Sequence, residues 1–105
     1  MNEIREIAEQ LWAHLREQYG SKVLHVILYG SHARGTATPD SDVDVLVVVD
    51  DALDPWKVRR NLDDVLLDIL LEKGCLVSVL VVPKSLYEAY NSPFMIQVRR
   101  EGVPL

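Results

Sequence analysis

Cysteine is nearly absent from this chain. Cys75 is the only one, so no intrachain disulfide can form. It sits in an apolar, strand-like run, where a small buried hydrophobe is the favoured reading over a reactive thiol. Long hydrophobic runs are missing too. No stretch approaches the ~20 apolar residues that cross a bilayer, which argues against a helical membrane span. The opening MNEIREIAEQ is charged and helical in pattern rather than a secretory leader, so the chain reads as cytoplasmic. Positive charge is in deficit, with 11 Lys and Arg against 16 Asp and Glu and a net charge of −5. A chain that grips nucleic acid electrostatically carries a basic face, so direct nucleic-acid binding is not expected. A nucleotide held through metal ions remains compatible with this charge. No repeat, low-complexity segment or linker interrupts the 105 residues, of which 49% are hydrophobic. These values describe one globular domain over residues 1–105, near the small end for a real core.

The chain is organised around Tyr29 to Asp44, which reads YGSHARGTATPDSDVD. A hydrophobic run, Val23 to Tyr29, feeds into Gly30-Ser31. Ten residues (32–41) separate Ser31 from Asp42, and Asp42-Val43-Asp44 opens a second apolar run. Gly30 permits a sharp strand exit and close approach of a ligand to the backbone. Ser31 offers a hydroxyl and an N–H where a helix is expected to begin, a place suited to phosphate. Asp42 and Asp44 are two apart on a predicted strand, so both side chains point to one face. Neighbouring carboxylates repel, and a bound cation is the usual relief. A phosphate cradle facing a carboxylate pair suits a metal-chelated nucleotide.

Gly-Ser, a ten-residue gap and Asp-x-Asp, with Ala33-Arg34-Gly35 and Ser41-Asp42 around them, resemble the signature of the minimal nucleotidyltransferases. These are small members of the DNA polymerase β-like superfamily. The resemblance extends to Arg99-Arg100-Glu101-Gly102-Val103 and so covers nearly the whole chain. It implies the polymerase β-like fold, an α/β domain with a small mixed central sheet flanked by helices. It also implies a transfer of AMP from ATP, with ATP as substrate and Mg²⁺ as cofactor in a two-metal scheme. Asp42 and Asp44 would be the catalytic and metal-binding residues. Gly30, Ser31 and Arg34 would bind the nucleotide. For Arg34 a salt bridge that steadies the loop is an equal alternative. The family is often paired with a HEPN-domain toxin from a neighbouring gene, which the antitoxin adenylylates. Association of the chain with copies of itself stays open.

The remaining chain supports an α/β order. Ile4, Ile7, Ala8, Leu11 and Leu15 recur at helical spacing, with Gly20 as the expected C-cap. Trp12 and His14 lie near the edge of that stripe, and partial packing is the expectation for both. Val23 to Tyr29, apolar at nearly every position, suits a strand covered on both faces. His25 in it is expected as a hydrogen-bonded core or edge residue. Residues 32–41 form a short helix and a polar turn, followed by a strand to Val49. Asp54-Pro55 starts a helix as N-cap and N1. Its apolar positions Val58, Leu62, Val65, Leu66 and Ile69 run to Lys73-Gly74, and Asp63, Asp64 and Asp68 read as its solvated face. A third strand spans Cys75 to Val82. Ser85 and Glu88 form a capping-box pattern before a short helix, and Ser92-Pro93 begins the last one.

The superfamily usually places a third acidic residue on a later strand, between two hydrophobic residues. The matching slot here reads Val77-Ser78-Val79. A serine hydroxyl is a poor substitute for an anionic ligand of an activating ion. Two readings follow. One is an enzyme that adenylylates a partner protein. The other is a nucleotide-binding antitoxin or regulatory subunit, weak or inactive in catalysis, that acts by forming a complex.

Overall fold

The computed structural model describes residues 2–105. The chain runs through α1 (Asn2–Tyr19), β1 (Val23–Tyr29), α2 (Ser31–Arg34), β2 (Val43–Val49), α3 (Pro55–Asn61) and α4 (Asp63–Lys73). It continues through β3 (Val77–Pro83), α5 (Lys84–Ala89), α6 (Pro93–Glu101) and β4 (Val103–Pro104). The four strands form one sheet in the order β3–β2–β1–β4. β1 pairs antiparallel with both β2 and β4, whereas β2 and β3 are parallel. The sheet is therefore mixed, as the resemblance implies. Among the described residues no helix is long and apolar enough to cross a membrane.

Alternation along the strands divides the interior into two layers. Val43, Val45, Val47 and Val49 of β2 face one side, where they meet Ile7, Leu11 and Leu15 of α1 and Leu62, Leu66 and Ile69 of α3–α4. Leu46 and Val48 face the other side and pack with Ile27, Val82, and Met95 and Val98 of α6. Both layers bury the β2 side chains completely, which explains why β2 is apolar at every position after Asp44. In β1 the register shifts between Val23 and His25. That bulge lets Val23 and Val26, three apart, both reach the α1 layer. It also puts His25 in solvent, where its ring leans on Tyr87 at 5.9 Å. The expected core or edge role for His25 is thus corrected.

Several boundaries differ from the sequence reading. The helix expected from Pro55 to Lys73 breaks at Leu62, whose amide reaches back three residues to the Arg59 carbonyl at 3.1 Å. Leu62 stays fully buried, so the apolar stripe continues through the break and hides it from periodicity. Asp54 caps α3 as expected, its Oδ1 accepting from the Trp56 N–H at 2.9 Å. Ser85 does not cap α5. The N-cap is Pro83, and the Ser85 N–H instead donates to Asp51 Oδ1 at 3.0 Å. Strand β3 begins at Val77 rather than Cys75. The thiol of Cys75 is half-buried and points to Glu3 Oε2 at 3.5 Å. Trp12 is partly packed as expected, its indole N–H donating to the Leu105 carbonyl at 2.8 Å.

β4 has no counterpart in the sequence reading. Two residues pair with Ile27 and Leu28, too few for any alternation to register. Gly102 makes the pairing possible, because a β-carbon there would meet the Val98 carbonyl oxygen at 2.5 Å and Ile27 Cγ2 at 2.6 Å.

Candidate active site

The candidate site lies where β1 and β2 end and the α6 layer stops. Gly30 leaves β1 with φ 76° and ψ −153°, a conformation that β-carbon-bearing residues avoid. It also has no room for a side chain. A β-carbon on Gly30 would overlap the carboxylate oxygen of Asp44. The turn therefore closes directly onto the Asp44 side chain. Ser31 then opens α2, and its carbonyl accepts from the Thr36 N–H at 3.0 Å, while Gly35 ends the turn in the left-handed region.

Asp44 lies opposite Tyr29 across the β1–β2 pair and beside Ser78 in the parallel β2–β3 register. These three positions share the face that carries Leu46 and Val48. Burial pushes the Asp44 carboxyl above its usual range, and the nearby Asp42 charge adds to this; His32 and Arg34 act against it. Burial likewise raises the Tyr29 phenol, with the Asp44 charge as the second cause. The Gly30 turn, the Asp44 carboxylate and Ser78 are thus neighbours, and Asp42 is near enough for its charge to act on Asp44.

Asp42 precedes β2, in a loop that fastens to itself. Ser41 Oγ accepts from the Thr38 N–H at 2.9 Å, and the Ser41 N–H returns to the Thr38 carbonyl at 3.0 Å. His32 Nε2 reaches the Ser41 carbonyl at 3.4 Å. Val43 N–H donates to the Leu76 carbonyl at 2.9 Å, tying the loop's exit to β3. Thr38 was legible only as a turn residue and Ser41 only as part of the family signature, although together they hold the segment bearing Asp42.

For Arg34 the structure shows the ion pair that was one of its two expectations. Its Nη1 lies 3.6 Å from Glu101 Oε2 of α6, the steadying ion pair, yet its charge still bears on Asp44. Between them, Tyr29, Gly30, Arg34, Phe94, Gln97 and Glu101 border a hollow of about 170 Å³. No charge spacing in the sequence links Glu101 to Arg34.

Among the described residues no group of three His, Cys, Asp or Glu side chains is placed to hold a metal ion. Asp42 and Asp44 offer two carboxylates, and a Mg²⁺ ion is commonly held by one or two carboxylates plus substrate phosphates. The pair fits an ion that arrives with a nucleotide.

The profile of the Nucleotidyltransferase domain family matches residues 2–101. Two similar proteins of Methanocaldococcus jannaschii carry the name "Putative protein adenylyltransferase". MJ0604 is 33% identical over 103 residues, covering 97% of this chain and 96% of its own. MJ1305 is 33% identical over 88 residues, covering 79% of this chain and 58% of its own. Among solved structures, one described as "Crystal structure of the toxin-antitoxin with AMP-PNP" superposes with a TM-score of 0.61 at 20% identity. That match covers 99% of this chain and 72% of the other, and at such identity it speaks for the fold. Sheet, turn and profile agree: the chain belongs to the nucleotidyltransferase-domain family, in keeping with the minimal nucleotidyltransferases.

Proposed function

We propose that the chain is a Mg²⁺-dependent protein adenylyltransferase that moves AMP from ATP to a hydroxyl group of a partner protein. The observation that carries this reading is the closure of the Gly30 turn onto the Asp44 carboxylate. On this reading, the backbone N–H groups that follow Gly30 take phosphate and the neighbouring carboxylates take a cation. In this reading Gly30, Ser31 and Arg34 hold the triphosphate, and Asp42 and Asp44 hold the metal. A Mg²⁺ ion there supplies charge neutralisation and orientation to the phosphates. The acceptor oxygen bonds the α-phosphorus and the bond to pyrophosphate breaks. The hydroxyl proton passes to the carboxylate pair or to water reaching it.

The names of the relatives support a protein as acceptor, and the fold neighbour supports a toxin as that protein. We assign the partner to the HEPN-domain toxins on the family resemblance. The net charge of −5 agrees with a protein acceptor, since it offers no gain from phosphate-backbone contact.

Ser78 favours a second reading. It stands beside Asp44 in the register, where a third carboxylate would serve an activating ion. In its place the chain would bind nucleotide and partner without chemistry.

Both readings expect Mg²⁺ and ATP together to raise the melting temperature more than either alone, because each completes the other's ligand set. Asp42→Asn combined with Asp44→Asn should abolish the joint shift, and its survival would remove the metal–nucleotide site. Incubation with α-labelled ATP, Mg²⁺ and the toxin that this reading expects from a neighbouring gene separates the readings. Label on the toxin supports transfer, whereas a stable complex without label supports the binding module.

A further inference from the structure

We infer that the open margin of the sheet, formed by β3 with α3 and α4, docks a second copy of this chain as a two-fold dimer. Helix α4 carries apolar side chains on two sides. Leu66 and Ile69 are buried, whereas Leu67, Leu70 and Leu71 are 52%, 39% and 74% exposed. A helix that is apolar on both sides is one that is covered on both. The exposed side runs along β3. Asp63, Leu67 and Leu70, at spacings of four and three, share one face. Arg59 is anchored to that Asp63 while it donates to the Val79 carbonyl of β3. Trp56, 76% exposed, and Leu80 border one hollow on the same margin, and the exposed Leu76 leads into β3. Six of the ten large hydrophobic side chains left exposed among the described residues therefore belong to this margin.

Together these side chains offer roughly 600 Å² of surface, the upper end of what a monomer leaves in one patch. It approaches the ~800 Å² that each partner buries in a standard interface. Charge selects the occupant. From Pro55 to Leu80 the chain has four basic and four acidic residues, so the other 7 basic and 12 acidic residues carry the whole net charge of −5. A cationic partner is drawn to those acidic surfaces, whereas a second acidic copy approaches best where charge is balanced. Among the described residues Lys57 and Arg60 of α3, and Asp64, Asp68 and Glu72 of α4, form no ion pair within the chain. A two-fold interface that lays α3 of one copy against α4 of the other matches these unlike groups twice over. The Val79 carbonyl is already taken by Arg59, so the copies meet through side chains rather than by continuing the ladder.

Sedimentation equilibrium of the full chain, without nucleotide or acceptor, tests this from micromolar to near-millimolar concentration. The native chain should form a dimer that dissociates on dilution. Trp56→Glu combined with Leu71→Glu alters two side chains that stand in solvent in the single chain. It should weaken the dimer by about a hundredfold. Lys57→Glu combined with Arg60→Glu should weaken it by about tenfold, and adding Asp64→Lys and Asp68→Lys should restore the native dissociation constant. The restored variant keeps the test decisive even if the first pair of glutamates unfolds the chain. A native chain that stays monomeric at every concentration overturns the inference, as does a dimer that neither pair of glutamates weakens. Weakening without restoration shows that α3 does not lie against α4 across the two-fold. A monomeric chain whose complex with a partner protein is lost on Trp56→Glu and Leu71→Glu would assign the margin to that partner instead.

Discussion

Gly30 answers two demands at once, a backbone conformation closed to other residues and contact with the Asp44 carboxylate. Gly30→Ala should therefore destabilise the fold by about 1–3 kcal/mol and weaken Mg²⁺-ATP binding. Denaturant unfolding and titration measure the two effects. A variant as stable as the native chain would mean that the turn relaxes without cost. Ser78 is the complementary case, a small neutral residue beside a carboxylate already disfavoured by burial and by Asp42. Ser78→Asp should lower metal-free stability by about 1 kcal/mol and raise Mg²⁺ affinity, with faster AMP transfer if transfer is slow in the native chain. Unchanged metal affinity would place the third ligand elsewhere. The Gly-Ser and Asp-x-Asp residues were legible because their spacing is local and fixed by one turn and one strand. Glu101, Gln97 and Phe94 were not, because only the folding of α6 across the sheet brings them to Arg34 and Tyr29.

Helices α1 and α4 meet through Lys73, whose ammonium lies 2.7 Å from Glu6 Oε2. The hydrogen bond from Lys73, followed by its charge, holds the Glu6 carboxyl below its ordinary range. A depressed carboxylate contributes stability that is present above its unfolded value and is lost as pH falls through the folded one. Glu6→Gln should thus melt slightly below the native chain at neutral pH. The gap should close as acid passes below the ordinary glutamate range, and added salt should shrink it. A gap that persists at low pH would show that packing of the side chain, not charge, is responsible. The long elements α1, β1, β2 and α6 follow from periodicity and caps visible in the sequence, Ser92 among them, whose hydroxyl accepts from the Met95 N–H. Contacts distant in sequence decide the rest. Asp51 takes the Ser85 amide, the buried Leu62 conceals a helix break, and a two-residue strand depends on the missing side chain of Gly102.

The whole molecule is a sheet with unequal rims. β1 and β2 are enclosed, β4 covers two residues of one margin, and β3 forms the other with no strand beside it among the described residues. Along that margin Trp56 and Leu80 are largely open to solvent. Such a rim invites a second chain to continue the ladder. Arg59 of α3 answers this by donating from Nε to the Val79 carbonyl at 3.2 Å, while its Nη1 is anchored 2.7 Å from Asp63. One guanidinium occupies a hydrogen-bonding position that an incoming strand would need. Its worth lies less in melting temperature than in shelf life. Arg59→Ala should change unfolding free energy by only about 1 kcal/mol, yet concentrated solutions should scatter light and bind amyloid dyes sooner than the native protein. If they stay clear for as long, the rim is guarded by something other than this arginine.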